Sequence, residues 1–366
     1  MNDRERVLKL LSGDRPDRVP WFGDLSYWAA ALRARGQLPP KDPGATAYIE
    51  WHRSLRVGYY LQGYEPFRAV CDGTVREKNE RSGNVHRRII ETPVGRLDEE
   101  HTYLPASFTS APTRHLVRSL EDLRVLRYVV EHTRYEPNYG EAALRREAVG
   151  GAGVVLCYLP KSPFMQLVAL LAGIETVVAL AFDAPEEFAA VLDVMEAKSD
   201  EAAALALASP AECLMIPENL SAEVVGPDFF ERHMRRYQEK WTKRIREAGK
   251  FSLIHMDGRL RGLLREEGSV GFTVLEALTP EPVGDVPIGE LRALAGPGPI
   301  LWGGVPGSYF TSLVPEAEFE RHVIEVLGVC RRDGRMVLGV ADQVPPDGLE
   351  SRVRRVAELA EEHGQY

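Results

Sequence analysis

The sequence is poor in cysteine and contains no pair spaced as Cys-x-x-Cys. Its four cysteines, Cys71, Cys157, Cys213 and Cys330, lie far apart in a chain of 366 residues. This spacing indicates neither a disulfide framework nor a cysteine-rich zinc module. Each cysteine is better explained as a small, buried apolar side chain.

An excess of positive charge is also missing. The formal net charge is −9 and the isoelectric point is about 5.6, whereas proteins that bind nucleic acids usually present a basic face. We therefore expect no nucleic-acid partner. Hydrophobic residues make up 44% and charged residues 27% of the chain, which is ordinary globular composition and excludes disordered and fibrous classes.

No segment has the features of a signal peptide or a membrane span. The N-terminus lacks the long apolar stretch and the small-residue cleavage site of a secretory signal. Residues 164–182 are the best membrane candidate, but they contain Gln166 and Glu175, which favours a buried helix pair in a soluble core. The predicted protein is cytoplasmic and has no membrane partner.

Short apolar runs alternate with helical segments along the second half of the chain. Six runs occupy residues 154–160, 212–218, 251–257, 272–278, 299–305 and 336–342. Strand-helix units in series require right-handed parallel connections. Because the runs are nearly continuous in apolar residues, they predict a parallel sheet that is covered on both faces.

Two architectures contain such a sheet, and one of them lacks its usual motif here. A doubly wound sheet normally carries Gly-x-Gly-x-x-Gly after an early strand, and none of the runs is followed by it. We therefore predict an α/β fold of the (β/α)8 TIM-barrel type, with residues 1–366 as a single domain. Residues 19–25 supply the first strand, and the second must come from residues 50–120.

The segment 84–104 differs from the rest because its residues alternate around a Thr-Pro-Val-Gly turn. This pattern predicts a β-hairpin, in which Gly95 provides the backbone freedom that the turn needs. The hairpin would be an addition to the N-terminal half of the barrel.

Polar residues stand where the predicted strands end. In a barrel, the carboxyl ends of the strands and the loops that follow form the open face where catalytic groups lie. The last polar residues of the runs are Asp24, Tyr158, Glu218 with Asn219, His255 with Asp257, Glu276, and Asp342. We expect these side chains to meet at one mouth.

The sequence Phe-Ser-Leu-Ile-His-Met-Asp-Gly at 251–258 contains the most specific pair. Because side chains alternate along a strand, His255 and Asp257 point to the same side. The pair is suited to half of a metal site or to acid-base work in which the carboxylate orients the imidazole. Equally open is a hydrogen-bonded core histidine followed by an aspartate that caps the next helix.

The other strand-end acids also have alternatives. Glu218 follows an apolar strand, where an unpaired carboxylate would be costly to bury, so a functional role is favoured. Asp342 is either a site residue or a turn residue before the prolines. Glu276 is either a pocket carboxylate or the partner of an arginine.

Several segments resemble the uroporphyrinogen decarboxylase-like superfamily over nearly the whole chain. They are RERVLKLLSGDRPDRVPWFGD, ETPVGRL, ENLSAEVVGPDFFERHMRRY, HMDG and LGVADQVPPDGLESRVRRVAELAEEHG, in the order of the family's motifs. The resemblance implies a (β/α)8 barrel. The superfamily also contains zinc methyltransferases that move methyl groups between corrinoid proteins and acceptors such as coenzyme M.

The chain departs from both branches at the positions that carry the chemistry. In place of the arginine-rich segment of the decarboxylases, this chain has a segment that contains Asp24. The histidine that the decarboxylases carry on a late strand is also missing, and both differences disfavour a porphyrinogen substrate. The methyltransferase branch has His-x-Cys-Gly and a later cysteine as zinc ligands, whereas this chain has Asp257 and Asp342 at those places. Histidine with carboxylates forms a harder, more Lewis-acidic site than thiolates do.

The resemblance and its departures suggest a methyltransferase of the O-demethylase type. It would move a methyl group from a methoxylated donor, aromatic donors included, to a corrinoid protein. The corrinoid would be carried by a separate protein, because the chain has no Asp-x-His-x-x-Gly cobalamin motif. The candidate metal ligands are His255, Asp257 and Asp342, and zinc is the metal expected first.

Glu218 joins these three as a catalytic candidate, either completing the metal shell or protonating the leaving oxygen. Residues predicted to bind substrate are Asp24, Tyr158, Asn219, Glu276 and Trp302. The alternatives are a decarboxylase of a non-porphyrin substrate and a non-catalytic binding barrel. A homodimer is a further option.

Overall fold

The computed structural model describes residues 1–60 and 63–366, which form a mixed α/β fold. The strands of these residues, in chain order, are β1 (Trp21–Phe22), β2 (Phe67–Cys71), β3 (Arg76–Ser82), β4 (Val85–Thr92), β5 (Gly95–Leu104), β6 (Thr109–Arg114), β7 (Thr133–Pro137), β8 (Leu156–Tyr158), β9 (Cys213–Ile216), β10 (Phe251–His255), β11 (Val274–Leu278), β12 (Ile300–Pro306) and β13 (Met336–Ala341).

Helices connect and cover the strands. The α-helices are α1 (Asp3–Leu11), α2 (Ser26–Ala34), α3 (Thr46–Leu55), α4 (Leu120–Glu131), α5 (Gly140–Val149), α6 (Pro163–Gln166), α7 (Ile174–Asp183), α8 (Pro185–Leu207), α9 (Pro227–His233), α10 (Arg235–Glu247), α11 (Leu264–Val270), α12 (Leu291–Ala295), α13 (Glu316–Asp333) and α14 (Glu350–His363). Short 3-10 turns occupy Gly150–Ala152, Ile288–Glu290 and Gly307–Phe310, and a π-helical turn occupies Leu167–Leu171.

Seven strands form the main sheet, in the order β1-β13-β12-β11-β10-β9-β8, and every neighbouring pair is parallel. The alternation of strands with helices and the parallel pairing agree with the prediction from the six apolar runs, each of which overlaps one strand from β8 to β13. The arrangement is consistent with a TIM-like barrel.

The two edge strands of the main sheet approach each other through Gly58 and Tyr59. Gly58 forms a parallel bridge with Phe22 of β1, and Tyr59 forms one with Gly153, just before β8. A Cβ atom on Gly153 would lie 1.9 Å from the carbonyl oxygen of Tyr59. Glycine therefore permits the close approach, and this two-residue segment stands where the second strand was expected.

The main strands are buried on both sides, which explains their nearly continuous apolar sequence. Alternate residues of one strand enter different parts of the core. On β9, for example, Cys213 and Met215 belong to the cluster that also contains Trp302, whereas Leu214 and Ile216 belong to the outer cluster under the helices. Burial from both sides fixes the positions of the strand ends.

The antiparallel strands form two additional sheets. β3, β4, β5 and β6 pair in that order, and β4 and β5 meet with Thr92 opposite Gly95. The segment predicted as a hairpin thus corresponds to the two middle strands of a larger sheet. β2 and β7 form a separate pair, and the sequence pattern did not predict β2, β3, β6 or β7.

The apolar segment 164–182 divides into α6, the π-helical turn and α7. Phe164 and Leu167 are fully buried, but Leu170 is 52% exposed and Phe182 is 84% exposed, so the predicted buried helix pair is buried on one side only. Among the described residues, no helix has both the length and the apolarity that crossing a membrane requires.

The cysteines follow their prediction with one exception. Cys157, Cys213 and Cys330 are buried, whereas Cys71 is exposed. Cys71 ends β2, whose outer residues face solvent because this strand pairs only with β7.

Candidate functional site

An imidazole and two carboxylates converge beyond the carboxyl ends of the main strands. His255 is the last residue of β10, Asp257 follows two residues later, and Asp342 follows β13 directly. One nitrogen or oxygen atom of each lies within 4.8 Å of the others. His255 Nε2 and Asp342 Oδ1 are 3.7 Å apart, so groups separated by 87 residues in sequence share one place.

His255 is oriented from behind by a chain of hydrogen bonds. Its Nδ1 donates to Oε2 of Glu276 at 2.6 Å, and the hydroxyl of Tyr60 donates to Oε1 of Glu276 at 2.7 Å. The register of β10 and β11 pairs His255 with Glu276 directly. Because Nδ1 is occupied, Nε2 is the nitrogen that faces Asp342.

Glu276, which was predicted to bind substrate, does not line the cavity. It is fully buried, and both of its oxygens are engaged by His255 and Tyr60. A carboxylate that holds one ring nitrogen of a histidine fixes the tautomer and the orientation of the ring. Its position makes Glu276 a residue that orients His255.

The cluster changes the acid-base properties of its members. Burial alone would lower the pKa of His255, but the charge and hydrogen bond of Glu276, with Asp257 and Asp342, raise the pKa to about 9. Burial raises the pKa of Asp342, and the nearby His255 opposes that effect. In the protein alone, His255 is therefore the positive centre of an acidic cluster at neutral pH.

Asp24 lies close to this cluster and is almost completely buried, at 2% exposure. Its Oδ1 accepts a hydrogen bond from the backbone N–H of Ser26 at 2.7 Å, while Oδ2 has no hydrogen-bond partner among the described residues. Burial raises the pKa of Asp24 to about 7, with a contribution from the charges of Glu276 and Asp342. Asp24 does not line the cavity above His255.

A cavity of about 670 Å³ opens above His255 and Asp342. Its volume lies in the range typical of small-molecule sites. Its walls are aromatic, cationic and polar, and are formed by Glu65, Phe67, Arg68, Ala69, Arg88, Tyr135, Tyr158, Pro160, Lys161, Gln166, Leu170, Pro217, Asn219 and Gln343. Tyr158 and Asn219, both predicted to bind substrate, are among them.

Glu218 is not part of the group formed by His255, Asp257 and Asp342. It is fully buried, and both of its oxygens accept from the backbone N–H of Ser162 at 3.2 Å. The amide of Gln238 lies 3.5 Å from Glu218 and 3.1 Å from Glu267. The carboxylate thus belongs to a network beneath α10, away from the metal-ligand positions predicted for it.

Trp302, also predicted to bind substrate, lies in the protein core. It is fully buried and packs in the interior of the main sheet, with its ring 4.6 Å from that of Tyr60 and 5.3 Å from that of Phe22. It does not line the cavity. Side chains in the middle of a barrel strand fill the core, and only those near the carboxyl end reach the mouth.

Sequence reasoning missed four residues around the site, namely Tyr60, Arg68, Arg88 and Lys161. Lys161 follows the run at 154–160, so reading one polar residue further along that strand end would have found it. The two arginines come from β2 and β4, which had no recognised site role. The cavity therefore has acidic groups at its floor and basic side chains on its walls.

The cluster is chemically suited to a divalent metal. Zinc sites in proteins are built from imidazole nitrogens, carboxylate oxygens and thiolates, and a metal-binding histidine commonly donates its second nitrogen to a carboxylate. Glu276 supplies that carboxylate at 2.6 Å from His255 Nδ1. With Asp257 and Asp342 on the other side, the residues fit such an ion.

Comparisons with known proteins agree with this architecture. The family model for uroporphyrinogen decarboxylase (URO-D) matches residues 109–363. A solved methyltransferase from Methanosarcina mazei superposes with a TM-score of 0.66 and 15% sequence identity, and the match covers 99% of this chain and 99% of that chain. At this identity the likeness concerns the fold. No curated protein matches the sequence.

Proposed function

Because the chain belongs to the uroporphyrinogen decarboxylase family, we propose that it is a methyltransferase of the O-demethylase type. It takes a methyl group from a methoxylated donor, with aromatic ethers as the first candidates, and passes it to a corrinoid carried by a separate protein. The supporting observation is the convergence of His255, Asp257 and Asp342, of which His255 and Asp342 line the floor of a cavity.

These three residues would hold a divalent metal, with zinc as the first choice. Such an ion, when bound, supplies Lewis acidity that polarises the ether oxygen of the donor. Imidazole and two carboxylates make a harder site than thiolates do, which suits an oxygen donor better than a thiol acceptor. The protein itself would place the three ligand side chains around the ion, and Glu276 would keep the ring of His255 oriented.

Transfer of the methyl group leaves a proton to be supplied. The bond between the methyl carbon and the oxygen breaks, the methyl group passes to the acceptor, and the oxygen keeps the electron pair. An alkoxide or phenoxide is a poor leaving group unless its charge is neutralised, so a positioned acid lowers the barrier. With a metal bound, the ion would carry that charge; without one, Asp342, whose pKa is raised by burial, lies at the cavity floor and can hold the proton.

The walls of the cavity suit an aromatic donor. Phe67, Tyr135 and Tyr158 line it, and the rings of Phe67 and Tyr135 meet edge to face at 5.7 Å. Aromatic side chains bind a flat ring through stacking and edge contacts. Tyr158 and Asn219 would position the donor with its methoxy group toward His255.

Two measurements on the purified protein test the proposal. Elemental analysis should find a divalent metal, and methoxylated aromatic donors should methylate reduced cobalamin, which can be followed by its absorption spectrum. His255→Ala and Asp342→Asn should lower the rate about 100- to 10,000-fold. Asp228→Asn is the control, because this side chain is 92% exposed on α9. A metal-free protein that demethylates no ether would refute the proposal.

A carboxy-lyase reaction on a non-porphyrin substrate is the second candidate. It is favoured by the raised pKa of His255, about 9, since a protonated imidazole at the cavity floor can donate to the carbon that has lost carbon dioxide. Release of carbon dioxide without any methyl acceptor would identify this reaction. A non-catalytic barrel would instead bind its ligand equally well after His255→Ala and show no turnover.

A further inference from the structure

Besides His255, three basic side chains line the cavity, namely Arg68, Arg88 and Lys161, and they differ in their ion-pair partners. Arg68 is 67% exposed on its side chain and pairs with Glu136 at 2.6 Å. Arg88 pairs with Glu99 at 3.2 Å. Both guanidinium groups are thus neutralised by carboxylates of the surrounding sheets, and neither is the first choice for binding a charged ligand.

Lys161 has no such partner. Its ammonium group donates to the backbone oxygen of Pro217 and to the side-chain oxygen of Asn219 at 3.1 Å, and both acceptors are neutral. Among the described residues, no carboxylate lies within 4.0 Å of it. An ammonium group has three donors, so the two neutral contacts leave one donor for the cavity.

Lys161 is half-buried, and acidic groups around it oppose the effect of burial on its charge. Burial lowers the pKa of Lys161, while Glu218, Asp257 and Glu65 oppose that effect from beyond contact distance. Burial also raises the pKa of Glu65, an acid that lines the same cavity. A half-buried cation paired only with neutral groups favours an anion that enters the cavity.

Asn219 adds a second donor beside Lys161. Its side-chain oxygen is the group that accepts from Lys161, so its amide nitrogen is directed elsewhere, and that nitrogen donates to no described residue. Asn219 lines the cavity and is held with a φ of +54°. An ammonium group and an amide N–H₂ side by side match the two oxygens of a carboxylate.

We infer that Lys161 and Asn219 form an anion subsite, and that the substrate is a methoxylated acid whose carboxylate binds there while its methoxy group faces His255. This inference rests on the proposed function for the identity of the methoxy group only. The carboxylate lies on the wall and the reacting oxygen on the floor, so the negative end of the substrate is kept away from Asp342. Neutral methoxy compounds lack the group that Lys161 holds.

Calorimetric binding of matched acids and amides tests the subsite without any methyl transfer. The probes are 3- and 4-methoxybenzoate and the corresponding methoxybenzamides, which have the same shape but no charge. The wild-type protein should bind an acid about 10- to 100-fold more tightly than its amide, as expected for one charge-assisted contact. Lys161→Met should abolish this preference, and Lys161→Arg should retain most of it.

Lys243→Met is the matched control, because Lys243 is 69% exposed on α10 and faces solvent. It should leave the preference for the acid unchanged. An unchanged preference in Lys161→Met, or equal binding of acid and amide by the wild type, would overturn the inference. Thermal unfolding of each variant identifies a loss of binding that is due to misfolding, in which case Lys161→Arg decides.

The two proposals fail in different ways. If methoxybenzoates bind through Lys161 but no methyl group is transferred, the subsite stands and the methyltransferase proposal falls. If methoxybenzamides are demethylated as efficiently as the acids, the methyltransferase proposal stands and the anion subsite falls.

Discussion

Glu218 and Glu276 occupy similar places on the main sheet but take part in different networks. Each lies near the carboxyl end of a central strand, each is fully buried, and each is followed by a non-glycine residue with positive φ, Asn219 at +54° and Ala277 at +65°. Glu276 binds His255 and Tyr60 at the cavity floor. Glu218 binds Ser162 and Gln238 instead.

The difference comes from partners that are distant in sequence. Tyr60 reaches Glu276 because Gly58 and Tyr59 bridge the edges of the main sheet. The partners of Glu218 come from the loop after β8 and from α10. A glutamate at the end of a buried strand must find donors, because an unpaired buried carboxylate is costly. The hydrogen-bond donors around each glutamate therefore determine whether it belongs to the site or only stabilises the fold.

Replacing each glutamate by glutamine should distinguish the two roles, and we expect the effects of these substitutions to be the largest of those predicted. Glu276→Gln removes the charge that orients His255, so the rate of methyl transfer and the affinity for metal should fall about 10- to 100-fold. The pKa of His255, measured by NMR in chelator-treated protein, should fall from about 9, because Glu276 is its main source of stabilisation. Glu218→Gln should leave that pKa and the metal affinity close to wild type.

Equal effects of the two substitutions would contradict this division of roles. The NMR measurement is the sharper readout, because general loosening of the fold would not lower the pKa of one histidine selectively. Unfolding of both variants in urea provides the control for stability.

Much of the main sheet could be predicted from local sequence. The runs at 154–160 through 336–342 each overlap one of the strands β8 to β13, because parallel strands buried on both sides need almost uninterrupted apolar residues. The segment at 58–59 could not be recognised in this way, since two bridging residues leave no periodic pattern. The polar strands β3 and β6 were missed for a similar reason, as most of their residues face solvent.

The site was predictable where it depends on strand ends and not where it depends on tertiary partners. The two-residue spacing of His255 and Asp257 and the position of Asp342 after an apolar run indicated a shared mouth, and the structure brings them together. The roles of Glu218 and Glu276 depend on Ser162 and Tyr60. Those partners are fixed by the fold of distant segments, and no local pattern identifies them.

The network around Glu218 should make stability depend on pH through Glu267. Burial raises the pKa of Glu267 well above its ordinary value of 4.5. The folded state thus keeps a proton that the unfolded chain releases, and stability is highest below pH 4.5 and falls as pH rises through the pKa of the folded state. A difference of one pKa unit between the folded and unfolded states corresponds to about 1.4 kcal/mol of stability.

Glu267→Gln removes this dependence and keeps an acceptor for the amide of Gln238. The variant should be more stable than wild type at pH 8 and similar to it at pH 4.5, as measured by urea unfolding at both values. Glu247→Gln is the control, because Glu247 is 61% exposed at the end of α10. A variant that is less stable than wild type at pH 8 would mean that Glu267 is charged and stabilising in the folded protein.

The smallest predicted effect concerns the backbone of the residues that follow the two glutamates. An L-residue in the left-handed region costs about 1–2 kcal/mol, which glycine avoids. Ala277→Gly should relieve that cost while losing a buried methyl group and stiffness of the unfolded chain, so the free energy of unfolding should change by less than about 0.5 kcal/mol. Ala203→Gly provides the comparison, because Ala203 is equally buried but lies within α8, where glycine costs about 1 kcal/mol or more. If the two substitutions cost the same, the backbone after Glu276 is not strained, and the similar turns after the two glutamates do not reflect a shared constraint.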